Sequence, residues 1–391
     1  MDERRAMRGK FAVVGVGESA GGGVIRDKSQ NQIGVEALLN ACNNAGISVK
    51  DIDGVFMTGS TPNIAAPSPT EFCDYIGIVP RYTHNGGGQA GPIGLVDHVV
   101  SALNAGGCSV AAMVLAESGR SRVGLPKPRG ADASATIGGQ FLNPYGMTII
   151  AELALVARRY IDTYGKTMAG FAEFCVSTRK WASLNPRATF RDPITVEEVL
   201  NSAMISDPMT ILMCCPVTDA ASCAIFTTAE RARDLKSKPI YVLGSGHSVE
   251  PMIPFKPDLI NWESMRVAGK TAFDMAGTRK DEIDLHQAHD AFVPVPIMEL
   301  EGVGMCKPGE GLDFIANGRT GPGGDYPMNT NGGGLSYTHS ASSGLPSLVE
   351  AVQQLRGESG PRQVPDAKVG LLTYAVGGFS QGSALIVSSE R

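Results

Sequence analysis

Tyr337 and His339 stand close together in segment 331–344, which reads Asn-Gly-Gly-Gly-Leu-Ser-Tyr-Thr-His-Ser-Ala-Ser-Ser-Gly. A phenol and an imidazole are proton carriers, and glycines let a backbone turn sharply and approach a ligand closely. The segment runs into an amphipathic helical pattern, so unpaired N–H groups and a positive dipole end follow it. Groups held there can move protons beside a developing anion. In an extended stretch the two side chains would point to the same side. His289 follows a strand-like run, Glu282-Ile-Asp-Leu-His-Gln-Ala, and is a third candidate. An earlier glycine loop, Asn85-Gly86-Gly87-Gly88, carries no reactive side chain.

Distant segments must meet for these groups to act together, and the chain repeats itself. Residues 11–16 (Phe-Ala-Val-Val-Gly-Val) and 239–244 (Pro-Ile-Tyr-Val-Leu-Gly) read as buried strands ending in glycine-rich turns. Helical patterns follow at 34–45 and 264–276. Residues 91–107 match 344–360, each with proline in the first turn and glycine past the end. Strands follow at 110–116 and 369–374, and closing strands at 223–227 and 384–388. The pattern predicts two βαβαβ-type units, each a mixed sheet between helix layers. Residues 1–120 form the first half, and 121–215 an inserted loop domain covering the site. Residues 216–236 supply the last strand of the first half and a linker, and 237–391 the second half.

The 391-residue length calls for two or three domains. Aromatics are only 6% against 48 glycines, which favours small-residue packing over stacking platforms. Net charge is −5 without a basic cluster, which excludes nucleic acid as the expected partner. No 18-residue apolar run predicts a membrane span. The charged start is not a signal peptide, so a cytoplasmic location is expected. The eight cysteines include no Cys-x-x-Cys pair, and no Cys/His spacing suits zinc; free thiols and no metal are expected. Segment 15–23 does not fit Gly-x-Gly-x-x-Gly, so no dinucleotide site is expected.

The halves, the insertion and the glycine loops resemble the thiolase superfamily, above all its sterol-carrier-protein-type, thiolase-like lipid-transfer members. The likeness is carried by Ala157-Arg-Arg-Tyr-Ile-Asp-Thr-Tyr-Gly, Asn185-Pro-Arg-Ala, Pro193-Ile-Thr-Val-Glu-Glu-Val-Leu and Met204-Ile-Ser-Asp-Pro-Met-Thr. His289-Asp-Ala-Phe looks like the family's His-Asp-x-Phe motif, 333–344 is similar to its Gly-His-Pro loop, and Tyr374-Ala-Val-Gly-Gly resembles its final glycine loop. The resemblance implies a five-layer αβαβα fold, usually a dimer, acting on acyl-coenzyme A or similar thioesters. Coenzyme A would enter as part of the substrate, with no separate cofactor.

Ordinary thiolases use a nucleophilic cysteine where the first loop meets the buried helix, and a second cysteine in the final loop. Here Gly87 or Gly88 stands at the first position, and 373–378 contains no cysteine. Without a thiolate there is no acyl-cysteine. The groups that remain suit retro-aldol cleavage of a β-hydroxyacyl thioester, resembling the cysteine-less steroid side-chain aldolases. Those enzymes use tyrosines at two loops; this chain has His289 at the first and Tyr337 at the second. His289 and His339 are expected to polarise the thioester oxygen and Tyr337 to transfer a proton, with Gly87, Gly88, Gly377 and Gly378 lining the substrate.

Competing readings stay open at this stage. Tyr337 could pack its ring and bond the backbone, and either histidine could be structural. Asp290 could orient a base or cap a helix, the commoner role. His84 is ambiguous, His286 faces away from His289 in an extended run, and Asp219 reads as structural. Lys127 and Arg129 are the weak candidates for coenzyme A phosphates. Acyl transfer without acyl-cysteine in this chain, and a non-catalytic lipid-binding subunit, are the other functions. Related cysteine-less proteins associate with a small zinc-ribbon/OB-fold protein, so a heteromeric assembly is an expectation beside the homodimer.

Overall fold

Residues Phe11–Glu18 form the first strand, β1, and its side chains alternate between two cores. Ala12 and Val14 face one apolar cluster, while Phe11 and Val13 face another; a bulge after Val13 keeps Val16 with the second set. A strand apolar on both faces must be covered on both. The computed structural model describes residues 2–20, 23–58, 68–86, 91–121, 137–339, 344–376 and 378–391. Lys127, Arg129, Gly87, Gly88 and Gly377 lie outside the described residues.

The other strands are β2 (Gly54–Thr58), β3 (Tyr82–Gly86), β4 (Val110–Ser118), β5 (Met204–Ser206), β6 (Met209–Thr210), β7 (Asp219–Thr228), β8 (Ile240–Val249), β9 (Leu285–Gln287), β10 (Val369–Val376) and β11 (Gln381–Ser388). The main helices are α1 (Gln30–Ala45), α2 (Pro69–Ile76), α3 (Gly91–Asn104), α4 (Ile149–Tyr164), α5 (Met168–Ser183), α6 (Glu263–Ala276), α7 (Pro294–Gly302) and α8 (Gly344–Arg356). The sheet order β3-β2-β4-β7-β1-β8-β11-β10-β9 places one half on each side of the β1–β8 junction. That junction consists of Ala12 opposite Tyr241 and Val13 opposite Ile240.

Three main cores hold five layers together, the middle one lying on both faces of the central helices. Ile33, Ala37 and Leu38 of α1 and Phe72 of α2 cover the outer face of the first half. Val96 and Val99 of α3 and Leu348 and Val352 of α8 fill the middle, touching Val13 and Met113 on one side and Leu372 and Leu385 on the other. Met265 and Ala268 of α6 and Ile297 of α7 cover the outer face of the second half, against Leu371 and Ile386. This is the expected αβαβα stack. The inserted helices α4 and α5 share that last core through Leu153, Val156, Phe171 and Phe174.

The duplication is written in close approaches. A Cβ on Gly15 or Gly17 would fall 2.4 Å from the carbonyl oxygen of Ala41 or Ala37 on α1. On β8, Gly244 and Gly246 approach α6 the same way, at 2.1 Å from Ala272 O and 2.3 Å from Ala268 O. Only glycine admits such helix–strand contact.

One expectation needs correcting. Asn85 and Gly86, read as part of a loop, end the edge strand β3, which runs parallel to β2. Its polar, half-exposed Tyr-Thr-His-Asn-Gly hides the pattern that marks a covered strand.

Candidate active site

α3 and α8 begin at one aromatic ring. A Cβ on Gly91 would lie 2.4 Å from Tyr374 Cδ1, and one on Gly344 2.9 Å from Tyr374 Cδ2. Alternation along β10 turns Tyr374 toward these central helices. The ring also stacks on His289, with centroids 4.1 Å apart. The two helix starts and the His289 loop therefore meet at Tyr374.

The His289 proton position follows from its partner. Nδ1 lies 2.6 Å from the carbonyl oxygen of Ala375, which can only accept, so Nδ1 carries hydrogen. In the neutral ring Nε2 is then a bare acceptor. It faces His339 Nε2 at 3.5 Å, too long for a strong hydrogen bond. Burial, and the nearby His339, push His289 down to about 3. Burial pushes His339 down to about 4. Both rings are neutral at pH 7, one offering a lone pair and the other able to offer an N–H.

A buried polar chain backs this pair. Glu299 accepts the His289 backbone N–H at 2.9 Å and the Thr373 hydroxyl at 2.6 Å. Thr373 Oγ1 in turn lies 2.8 Å from His286 Nε2. Burial lifts the Glu299 carboxyl to about 8, so it holds a proton at neutral pH. Its Oε1 has no partner among the described residues. His286, fully buried, supports from behind.

Tyr337 and His339 do not share a direction. Residues Gly333–Tyr337 form one π-helical turn rather than an extended stretch. The Tyr337 hydroxyl donates to both Glu18 oxygens at 2.9 Å, and Glu18 pairs with Arg187 at 3.3 Å. The Tyr337 ring packs with Ala182 and Ala188. Burial, with Glu18 beside it, raises the phenol well above its ordinary value. Asp290 caps the same turn, accepting the Gly334 N–H at 2.6 Å. Asp219 is a loop organiser, accepting N–H groups of Ile25, Arg120 and Ser121. Gly378 has φ 69, a turn only glycine adopts freely, beside Met252.

All eight thiols are held above the ordinary cysteine value, with burial the leading cause in each. None is paired in a disulfide. A thiolate nucleophile has no support here. Among the described residues no group of His, Cys, Asp and Glu is arranged to hold a metal, and no helix is long and apolar enough to cross a membrane.

Sequence reasoning missed Tyr374, Glu299 and Glu18. Tyr374 lies in the quoted final-loop motif, and strand alternation could have assigned its face. Glu299 and Glu18 carried no local signal, because their partners are remote in sequence.

Comparison with known proteins identifies the family. The family described as "Thiolase C-terminal domain-like" matches residues 245–389. The chain is 33% identical to the 17-hydroxy-3-oxo-4-pregnene-20-carboxyl-CoA lyase of Mycobacterium tuberculosis, over 90% of this chain and 93% of that one. It is 30% identical to an acetyl-CoA acetyltransferase of Methanothermobacter thermautotrophicus, over 97% and 99%. The solved Ltp2-ChsH2(DUF35) aldolase superposes with a TM-score of 0.88 at 29% identity, covering 98% of this chain and 99% of that one. The chain belongs to the thiolase superfamily, with its sterol-carrier-protein-type, aldolase-like members.

Proposed function

We propose that this chain is a carbon–carbon lyase that cleaves a β-hydroxyacyl-CoA by a retro-aldol reaction, without an acyl-enzyme. The observation that carries the reading is the neutral His289–His339 pair, with its fixed tautomer, in a protein whose thiols are all kept protonated. The N–H of His339 Nε2 binds the thioester oxygen. The bare Nε2 of His289 takes the proton of the β-hydroxyl, and the Nδ1–H on Ala375 O shares the new charge. The Cα–Cβ bond breaks, its electrons enter the thioester as an enolate, and the β-carbon leaves as a ketone or aldehyde. His289 returns the proton to Cα, giving the shortened acyl-CoA. The assignment gives proton transfer to His289 rather than Tyr337, whose hydroxyl is engaged by Glu18.

Gly87, Gly88, Gly377 and Gly378 remain the proposed walls for the acyl group, and coenzyme A enters as part of the substrate. The related aldolase is described with a DUF35 component, which supports a heteromeric assembly for this chain; a homodimer is the further expectation. Incubation of the chain, alone and with such a partner, with a panel of β-hydroxyacyl-CoAs should release a carbonyl product and a shortened acyl-CoA. No turnover across the panel in either form would refute the reading. The acetyltransferase relative keeps one alternative, acyl transfer without acyl-cysteine; transfer between thioesters with no carbon–carbon cleavage would favour it.

A further inference from the structure

Asp290 touches both histidine-bearing segments. It follows His289 in the chain, and its carboxylate accepts the N–H groups of Gly334 at 2.6 Å and Leu335 at 3.3 Å. Those amides belong to the turn that ends at Tyr337 and delivers His339. The fit leaves no slack. A Cβ on Gly333 would fall 2.1 Å from Asp290 Oδ2; one on Gly334 would fall 3.1 Å from Oδ1 and 3.0 Å from His339 Cδ2. The glycines that read as letting the backbone approach a ligand closely make room for this carboxylate. Asp290 is only 2% exposed, and among the described residues no salt bridge reaches it. Backbone amides alone, with Asn329, offset its burial, which still lifts the carboxyl to about 6.

We propose that Asp290 is a positioning residue, tying His289 to the turn at 333–337 and so fixing the spacing and alignment of the His289 and His339 Nε2 atoms. It makes no contact with the reacting atoms. Its kinetic consequence rests on the reading that the histidine pair carries the reaction; its geometric consequence does not.

Asp290→Asn keeps the size but sets an NH2 group against one of the two amide donors. The expected result is kcat lowered about 10- to 100-fold, with KM within about threefold, because near-attack geometry is lost rather than binding. Gly334→Ala strains the same clamp from the other side while keeping the charge, and carries the test if Asp290→Asn fails to fold. The double variant should be no worse than the more damaged single, since both break one contact. Imidazole 15N spectra read the geometry without turnover: His289 should keep its Nδ1–H tautomer on Ala375, while the Nε2 signals of His289 and His339 shift from their native positions in either variant. Native-like spectra and kcat in both variants, or additive losses in the double variant, would overturn the proposal. If the native chain turns over no substrate, the proposed reaction fails while the spectra still decide the role of Asp290.

Discussion

His84, His98 and His247 stack in a row on β3, α3 and β8, with ring centroids 4.7 and 5.7 Å apart. His286, His289 and His339, the remaining three of six, gather behind and beside Tyr374. The first group meets solvent, the His247 side chain being 37% exposed. Its carboxylate, Asp97, is already engaged by Arg4 and Ser245, each at 2.6 Å. Burial would raise Asp97, but hydrogen bonds from His247 and Ser245 and the charge of Arg4 outweigh it and hold it low. In the second group a backbone carbonyl fixes one tautomer, and two nitrogens face one another, His289 buried and His339 partly so. Clustered imidazoles do not make a reactive site by themselves; fixed protons and excluded water do.

The sharpest way to break this comparison is truncation. His289→Ala should lower kcat about 10^2- to 10^4-fold, whereas His98→Ala should leave it within about twofold. Equal losses in steady-state assays would erase the distinction. His339→Ala should cost about 10^2- to 10^3-fold in kcat, the scale of losing one oxyanion donor. A rise in KM alone would instead make it a binding residue.

Acid should separate the clusters next. His286 sits at about 3 in the fold, because burial disfavours its charge. A folded value below the ordinary 6.5 means its contribution is complete above pH 6.5 and is lost as pH falls toward 3. Relative to His286→Phe, the native protein should lose about 1.4 kcal/mol per pH unit below 6.5, roughly 2 kcal/mol by pH 5. Urea unfolding of both proteins from pH 7 to 5 measures this; parallel curves would mean that His286 is not held neutral. The smallest effect is expected at Tyr337→Phe, about 1 kcal/mol of stability and less than threefold in kcat, read by denaturation and assay. A loss of several hundredfold would return the proton to Tyr337.

What the sequence made legible followed burial. The strands at 11–16 and 239–244 and the helix pair at 91–107 and 344–360 were readable because both faces of each are covered, so apolar runs mark them. β3 escaped because an edge strand keeps polar, half-exposed side chains. His289 and His339 were found through motif and residue type, but their geometry was not. The turn at 333–337 is π-helical, so the two-residue spacing of an extended chain did not apply to Tyr337 and His339. Nor could the glycines show that they make way for Asp290, a neighbour distant in sequence. Contacts such as His289 with Ala375 exist only once β9 and β10 have paired within the second half.

The central claim is that bond cleavage proceeds on two neutral histidines with no covalent intermediate. Intact-protein mass spectrometry during turnover of a β-hydroxyacyl-CoA, sampled alongside product release, tests it most directly. A carbonyl product and shortened acyl-CoA should appear from a chain whose mass never changes, with release lost in His289→Ala. An acyl adduct that forms and decays on any of the eight cysteines at the rate of turnover would contradict it.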